Sequence, residues 1–81
     1  MAPLTDQQLA ILDIEARHWR HAGSKEQAIR ARLGLSATAY YARLNRLIDD
    51  PAALERNPVL VNRLRRLRES RRRARSGQLV G

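Results

Sequence analysis

Eight arginines crowd the last third of the chain, and they are the residues best equipped to bind a polyanion. Residues 58–81 carry eight arginines and a single acid, Glu69, whereas residues 1–57 carry eight basic and seven acidic side chains. Nearly all of the formal net charge of +8 therefore lies in this segment. A solvated helix face normally mixes both signs, so the run predicts binding to nucleic acid or, less well, to an anionic membrane surface. Residues 68–75 are almost purely charged and lack the Trp, Phe or Leu face that inserts into a membrane, which favours nucleic acid.

Other pairs of reactive side chains have simpler explanations than catalysis or metal binding. His18 and His21 are three residues apart but lack a third ligand, and we interpret them as cations at the end of a helix. Asp49 and Asp50 suggest a carboxylate pair, yet the step from Asp50 to Pro51 is typical of a helix cap. The sequence has no nucleophile with its base and no glycine-rich phosphate loop. We therefore expect neither an enzyme nor a cofactor.

The length and composition indicate one small domain. The chain has 81 residues and no cysteine, so a disulfide framework or a cysteine zinc site cannot support it. The N-terminus does not resemble a signal peptide, and no apolar run approaches the length of about 20 residues that spans a bilayer. We expect a cytoplasmic protein associated with the nucleoid. The apolar pattern predicts a helical domain over residues 1–67 and a basic, partly disordered extension over residues 68–81.

Capping residues and apolar periodicity predict a small all-α bundle of four to five helices. Thr5 and Gln8 have the spacing of a capping box, and the stripe that follows predicts a first helix ending near Gly23. The residues of this stripe are Leu9, Ile11, Leu12, Ile14, Ala16 and Trp19. Ser24 opens a second capping box, so we expect a second helix from there to Gly34.

The segment Lys25–Ile48 has the spacing of a helix-turn-helix. Gly34 suits the tight turn because glycine adopts positive φ freely, and Ser36 can cap the helix that follows. Arg30 departs from the motif. The position four before the glycine is usually occupied by a small residue, because the two helices cross there. Either Ala31 fills the crossing in a shifted register, or Arg30 extends outward over its own stem.

A third helix that enters a major groove would present its outward side chains to DNA. Tyr40 and Tyr41 point about 100° apart on a helix, and we predict Tyr40 in the core with Leu44 and Tyr41 on the ligand side. Asn45 and Arg46 have the groups that pair with adenine and guanine respectively. The predicted DNA-binding residues are Lys25, Arg30, Arg32, Ser36, Thr38, Tyr41, Arg43, Asn45, Arg46, Arg63, Arg66, Arg71, Arg72, Arg73 and Arg75.

Two proline steps predict the remaining helices. Asp50-Pro51 and Asn57-Pro58 each place a capping side chain before a proline that suits the first helical position. They predict a short helix over residues 51–56 and a basic helix from residue 58 to about residue 75, followed by a loose end. The apolar stripe of the basic helix consists of Leu60, Val61, Leu64 and Leu67.

The run from Trp19 to Arg75 resembles an actinobacterial family of short basic proteins known as domain of unknown function 3263. The resemblance is carried by residues 22–29, 35–41, 44–49 and 57–68. It implies a helical, helix-turn-helix-like fold and an origin in mycobacteria, their relatives or their phages. It implies no established activity and no functional residues.

Two functions of different classes fit these features. The first is a DNA-binding regulator of transcription, in which the third helix reads the major groove and the basic helix holds the phosphate backbone. The second is an adaptor that binds RNA polymerase or another transcription protein through the apolar stripe over residues 59–67. RNA binding is weaker, since one tryptophan and two tyrosines offer few surfaces for stacking bases. The stripe can also fold back on the first helix or pair in a homodimer, and the sequence leaves both open.

Overall fold

The computed structural model describes the backbone of residues 2–80 and the side chains of residues 2–74. These residues form five helices, α1 (Asp6–Ala16), α2 (Ala22–Leu33), α3 (Ala37–Leu47), α4 (Pro51–Arg56) and α5 (Pro58–Val80). The predicted all-α class is confirmed. No helix within the described part of the chain is both long and apolar enough to cross a membrane.

Four helix starts lie where the capping residues predict them. Thr5 and Gln8 form both bonds of a capping box, with N···O distances of 3.1 and 2.8 Å. The side chains of Ser36, Asp50 and Asn57 each accept a hydrogen bond from a backbone N–H in the first turn of the following helix. Each bond satisfies one of the amides that a helix leaves without an internal partner.

The first helix ends earlier than predicted, at Ala16 rather than near Gly23. The cause is the carbonyl of Ile14, which accepts one bond from the N–H of Arg17 at 3.3 Å and another from the indole N–H of Trp19 at 2.8 Å. The indole takes the place of the backbone donor that another helical turn would supply. A local side-chain contact, five residues along the chain, therefore caps the end of this helix, and no glycine is needed.

The second helix begins earlier than predicted, at Ala22 rather than after a Ser24 cap. Gly23 lies inside this helix, so its predicted role as a helix stop is wrong. The histidines consequently lie between α1 and α2, and the prediction of helix-end cations fails for them. His21 precedes the N-terminus of α2, which is the end of a helix dipole that disfavours a cation.

The core joins α1, α2, α3, α4 and the first turn of α5. Tyr40 is fully buried as predicted, and both Leu47 and Ile48 join it there. Ala16, which the apolar stripe placed in the core, is exposed. The core consists of Ile11, Leu12, Ile14, Ile29, Tyr40, Leu44, Leu47, Ile48, Ala53, Leu60 and Val61.

The basic helix contributes apolar side chains to the core from its first two turns only. Leu60 and Val61 are buried and Leu64 is partly buried against the core, but Leu67 is 46% exposed. The helix continues through Val80 instead of ending near residue 75, and Gly81 lies outside the described residues. The part of α5 beyond Leu67 thus carries its arginines away from the core.

Candidate nucleic-acid interface

A buried carboxylate ties the first three helices together. The side chain of Glu15 is only 7% exposed, and it accepts a hydrogen bond from the hydroxyl of Tyr40 at 2.5 Å. Its other partner is the ammonium of Lys25 at 2.8 Å, which also lies 5.9 and 5.3 Å from the ring centres of Tyr40 and Tyr41. Lys25, predicted to contact DNA, is therefore placed in an internal ion pair that neutralises its charge.

The electrostatics of this cluster favour one protonation state at neutral pH. Burial raises the pKa of Tyr40, and the hydrogen bond and charge of Glu15 raise it further. Burial alone would lower the pKa of Lys25, but the hydrogen bond and charge of Glu15 more than offset it, so that pKa is raised. Tyr40 therefore remains a neutral donor and Lys25 remains a cation.

The turn between α2 and α3 orients the third helix. Gly34 has φ 65°, the left-handed conformation that ends α2, and Ser36 caps α3 two residues later. Arg30 and Ala31 are both exposed, so Ala31 does not fill the helix crossing and Arg30 extends outward. The side chain that α2 buries beside the turn is Ile29.

The third helix has one fully accessible line of side chains. Thr38, Ala42 and Arg46 are four residues apart and all exposed, so they follow one another along the surface opposite the core. Asn45 lies on the flank of this line, where its side-chain oxygen accepts a hydrogen bond from Arg68 at 3.0 Å. Of the two predicted base-reading residues, Arg46 is accessible and Asn45 is engaged within the protein.

Two other predicted arginines lie on the opposite flank and contact α1. Arg32 donates to Asp13 at 2.8 Å, and Arg43 donates to the side-chain oxygen of Gln7 at 2.8 Å. The hydrogen bond from Arg32 lowers the pKa of Asp13 below its ordinary value.

Arginines of α5 attach the basic helix to the end of α3. Arg65 donates through Nε to the carbonyl of Ile48 at 2.6 Å. Arg68 forms two bonds with the carboxylate of Asp49, at 3.0 and 2.7 Å, and also contacts the backbone carbonyl of Asn45 at 3.2 Å. The bond from Arg68 holds the pKa of Asp49 below its ordinary range. Neither Arg65 nor Arg68 was among the predicted site residues.

Five other arginines of α5 have no carboxylate partner within residues 2–74. The ion pairs formed by the described side chains involve Arg17, Lys25, Arg32 and Arg68 as the basic members. The unpaired arginines of α5, all of them exposed, are Arg63, Arg66, Arg71, Arg72 and Arg73. The side chain of Arg75, also predicted to contact DNA, lies outside the described residues. These arginines belong to the basic run that the sequence predicted to bind nucleic acid, and they lie on one continuous helix.

A groove of about 820 Å³ lies between α5, α3 and the end of α1. Arg63, Arg71 and Arg72 line it from α5, while Arg17 and His18 line it from the end of α1. Tyr41, Leu44, Ile48 and Leu64 are among its other residues. Arg17 and His18 were not predicted, because the groove depends on where α1 ends. The inward position of Arg68 could have been predicted from helical periodicity, because Arg68 lies seven residues, or two helical turns, after buried Val61.

Metal binding finds no support in the arrangement of the described side chains. Among them, no three histidine, aspartate or glutamate residues come together as a metal site would require. The candidate interface thus consists of the exposed line of α3, the free arginines of α5 and the groove between α5 and α1.

Comparison with known proteins gives one match. No curated protein and no solved structure matches the chain. The family model described as protein of unknown function (DUF3263) matches residues 3–76. This match covers most of the 81 residues, and the chain therefore belongs to the DUF3263 family.

Proposed function

We propose that the protein is a DNA-binding regulator of transcription that holds duplex DNA with the arginines of α5 and reads it with the exposed line of α3. The observation that carries this proposal is the set of five exposed arginines on α5 without a carboxylate partner in the described structure. Like charges on one helix repel each other, and neutralisation by phosphates relieves that repulsion. On this proposal the protein acts at the nucleoid in the cytoplasm.

The arrangement of α2 and α3 supports the helix-turn-helix part of the proposal. A left-handed glycine and a capping serine join the two helices. On α3, Ala42 is small enough for close approach to base edges and can contact a thymine methyl group. Arg46, which makes no ion pair among the described residues, can bond guanine through two donors. Thr38 can position the helix on a phosphate.

The test measures binding of random and selected duplex DNA at two salt concentrations. The triple variant Arg71→Ala, Arg72→Ala, Arg73→Ala should weaken binding to both duplexes equally and reduce the salt slope by up to about 3. Removal of residues 71–75, which takes away four arginines, should weaken both duplexes equally and reduce the salt slope by up to about 4. Arg46→Ala should instead reduce the preference for the selected duplex.

A control removes one positive charge outside the candidate interface. Arg56 is exposed at the end of α4, lines a cavity with Ala2 and Pro3 and does not line the groove beside α5. Arg56→Ala should leave both the affinity and the salt slope close to those of the natural protein. Unchanged binding after loss of Arg71, Arg72 and Arg73 would exclude the arginine helix as the DNA-binding element.

The adaptor function has less support from the same helix. Leu60 and Val61 of the predicted docking stripe are buried in the core. Among the described side chains of α5, the large apolar ones that remain exposed are Val59, at 78%, and Leu67, at 46%, and they are eight residues apart. A pull-down that recovers polymerase subunits from nuclease-treated lysate would favour this function. Retention that is lost on nuclease treatment would favour DNA binding.

A further inference from the structure

The groove between α5 and the end of α1 combines cations with an accessible aromatic ring. Arg63, Arg71 and Arg72 line one side, and their guanidinium groups have no carboxylate partner in the described structure. Tyr41 lines the groove and is 44% exposed. The volume of about 820 Å³ lies within the range of clefts that hold small ligands, about 300–1,000 Å³.

The ring of Tyr41 is held in place rather than free to turn into solvent. The ring of Tyr40 lies 5.1 Å from it, centre to centre, at an interplanar angle of 79°. The ammonium of Lys25 lies 5.3 Å from its centre and is itself fixed by Glu15. A ring oriented by two neighbours loses little freedom when a planar ligand stacks on it.

The acid in this groove does not repel an anion strongly. Glu15 is among the lining residues, but its charge is neutralised by Lys25 and it also accepts a bond from Tyr40. The groove therefore presents a net positive potential around an aromatic surface, and the apolar side chains of Leu44 and Leu64 lie beside it.

We infer that this groove binds an unpaired nucleotide, with the base against Tyr41 and the phosphate on Arg63, Arg71 or Arg72. An acidic peptide would use the cations but would leave the exposed ring without a partner. A nucleotide uses both, because every base has a flat face that stacks on an aromatic side chain. The nucleotide is either a unit of single-stranded DNA or RNA or a free nucleotide. This site goes beyond the proposed duplex binding, since it uses Tyr41 on the side of α3 that faces the groove and requires no contact from the exposed line of Thr38, Ala42 and Arg46.

The test uses fluorescence anisotropy of the full chain with a labelled thymidine oligonucleotide and an abasic oligomer of the same length. Both probes carry the same phosphates, so a difference between them reports contact with bases. The natural protein should bind the thymidine oligonucleotide more tightly than the abasic oligomer. This comparison needs no variant and therefore does not depend on the folding of one.

Variants of Tyr41 then locate the contact. Tyr41→Ala should weaken binding of the thymidine oligonucleotide by about 5- to 150-fold, as loss of one stacked base predicts, and leave abasic binding unchanged. Tyr41→Phe should retain most of the affinity, because its ring is preserved. Val59→Ala, which removes an exposed apolar side chain outside the groove, is the matched control. Circular dichroism verifies that each variant is folded.

Competition with thymidine triphosphate distinguishes the two sources of the nucleotide. Displacement of the oligonucleotide would identify a free nucleotide as sufficient, and failure to displace it would identify a strand. Equal binding of the abasic oligomer by the natural protein would overturn the inference, as would an unchanged affinity in a folded Tyr41→Ala variant. Polyglutamate that competes as well as the oligonucleotide would also overturn it in favour of an acidic peptide. Duplex binding, measured separately, tests the proposed function independently of these outcomes.

Discussion

Arg68 of α5 forms a bidentate salt bridge with Asp49, just beyond the end of α3, with nitrogen–oxygen distances of 3.0 and 2.7 Å. The pair joins the arginine helix to the helix that carries the accessible Arg46. A guanidinium fork matches the two oxygens of a carboxylate, so this contact fixes direction as well as distance. Helix α5 is thereby held along α3 at a point seven residues beyond its last buried side chain, Val61.

Asp49→Asn should lower the free energy of unfolding by about 0.5 kcal/mol at neutral pH. This small effect is typical of solvent-exposed ion pairs, and the Asp49 side chain is 60% exposed. Because the pKa of Asp49 is lowered in the folded state, its contribution is present above the ordinary value of 3.8 and is lost as the pH falls through the lowered pKa. Urea unfolding at neutral pH and at about pH 2 measures both values. A difference that persists unchanged in acid would contradict this account of the pair.

Glu15→Gln should destabilise the protein much more. The amide keeps a hydrogen-bond acceptor for Tyr40 but leaves the ammonium of Lys25, whose side chain is 19% exposed, without its countercharge. We expect the free energy of unfolding to fall by about 2 kcal/mol, which is less than the loss expected for a fully buried ion pair. Adding Lys25→Met should recover part of that loss in urea unfolding, because no unpaired charge then remains.

The control for this cluster is Asp13→Asn on the same helix. Asp13 also has two basic neighbours, Arg17 and Arg32, but its side chain is 48% exposed. Because solvent screens the charges at this site, Asp13→Asn should lower the free energy of unfolding less than Glu15→Gln does. Equal losses at the two positions would mean that the internal ion pair contributes nothing special to stability.

Two glycines should respond to alanine with opposite signs. Gly34 has φ 65°, and alanine there should cost about 1–2 kcal/mol through backbone strain alone, since no atom lies within 4 Å of the added methyl group. Gly23 lies inside α2 with open space around it, so alanine there should add up to about 1 kcal/mol of stability. Thermal or urea unfolding measures both changes. Destabilisation by Gly23→Ala would indicate that α2 begins later, after Ser24.

Asn45→Ala and Arg46→Ala should have different effects on DNA binding. Arg46 is free to contact bases, so its loss should reduce the preference for a selected duplex. Asn45 accepts a bond from Arg68, so its loss should act on the attachment of α5 and change random and selected binding alike. Binding curves for the two duplexes separate these results. A loss of preference confined to Asn45→Ala would restore it as the base-reading residue.

Local chemistry made much of this fold predictable. The caps at Thr5, Ser36, Asp50 and Asn57 act within three residues, and the sequence alone therefore locates the helices that they begin. The burial of Tyr40 follows from the period of its own helix.

Side-chain contacts that helical periodicity does not encode account for what the sequence did not predict. The end of α1 depends on where the indole of Trp19 finds an acceptor, and Gly23 offered a plausible but wrong stop. Similarly, the engagement of Asn45 by Arg68 joins residues 23 positions apart. The groove could not be predicted for the same two reasons. One of its sides is formed by the end of α1 and the other by α5.

The attachment of α5 also completes the end of α3. A helix leaves its last carbonyls without internal donors, and here Arg65 supplies one to Ile48 at 2.6 Å while Arg68 supplies one to Asn45 at 3.2 Å. The arginine helix is thus part of the scaffold of the neighbouring helix. If an anion bound to α5 changes the affinity of α3 for a ligand, thermodynamic linkage requires that the ligand on α3 change anion binding by the same factor.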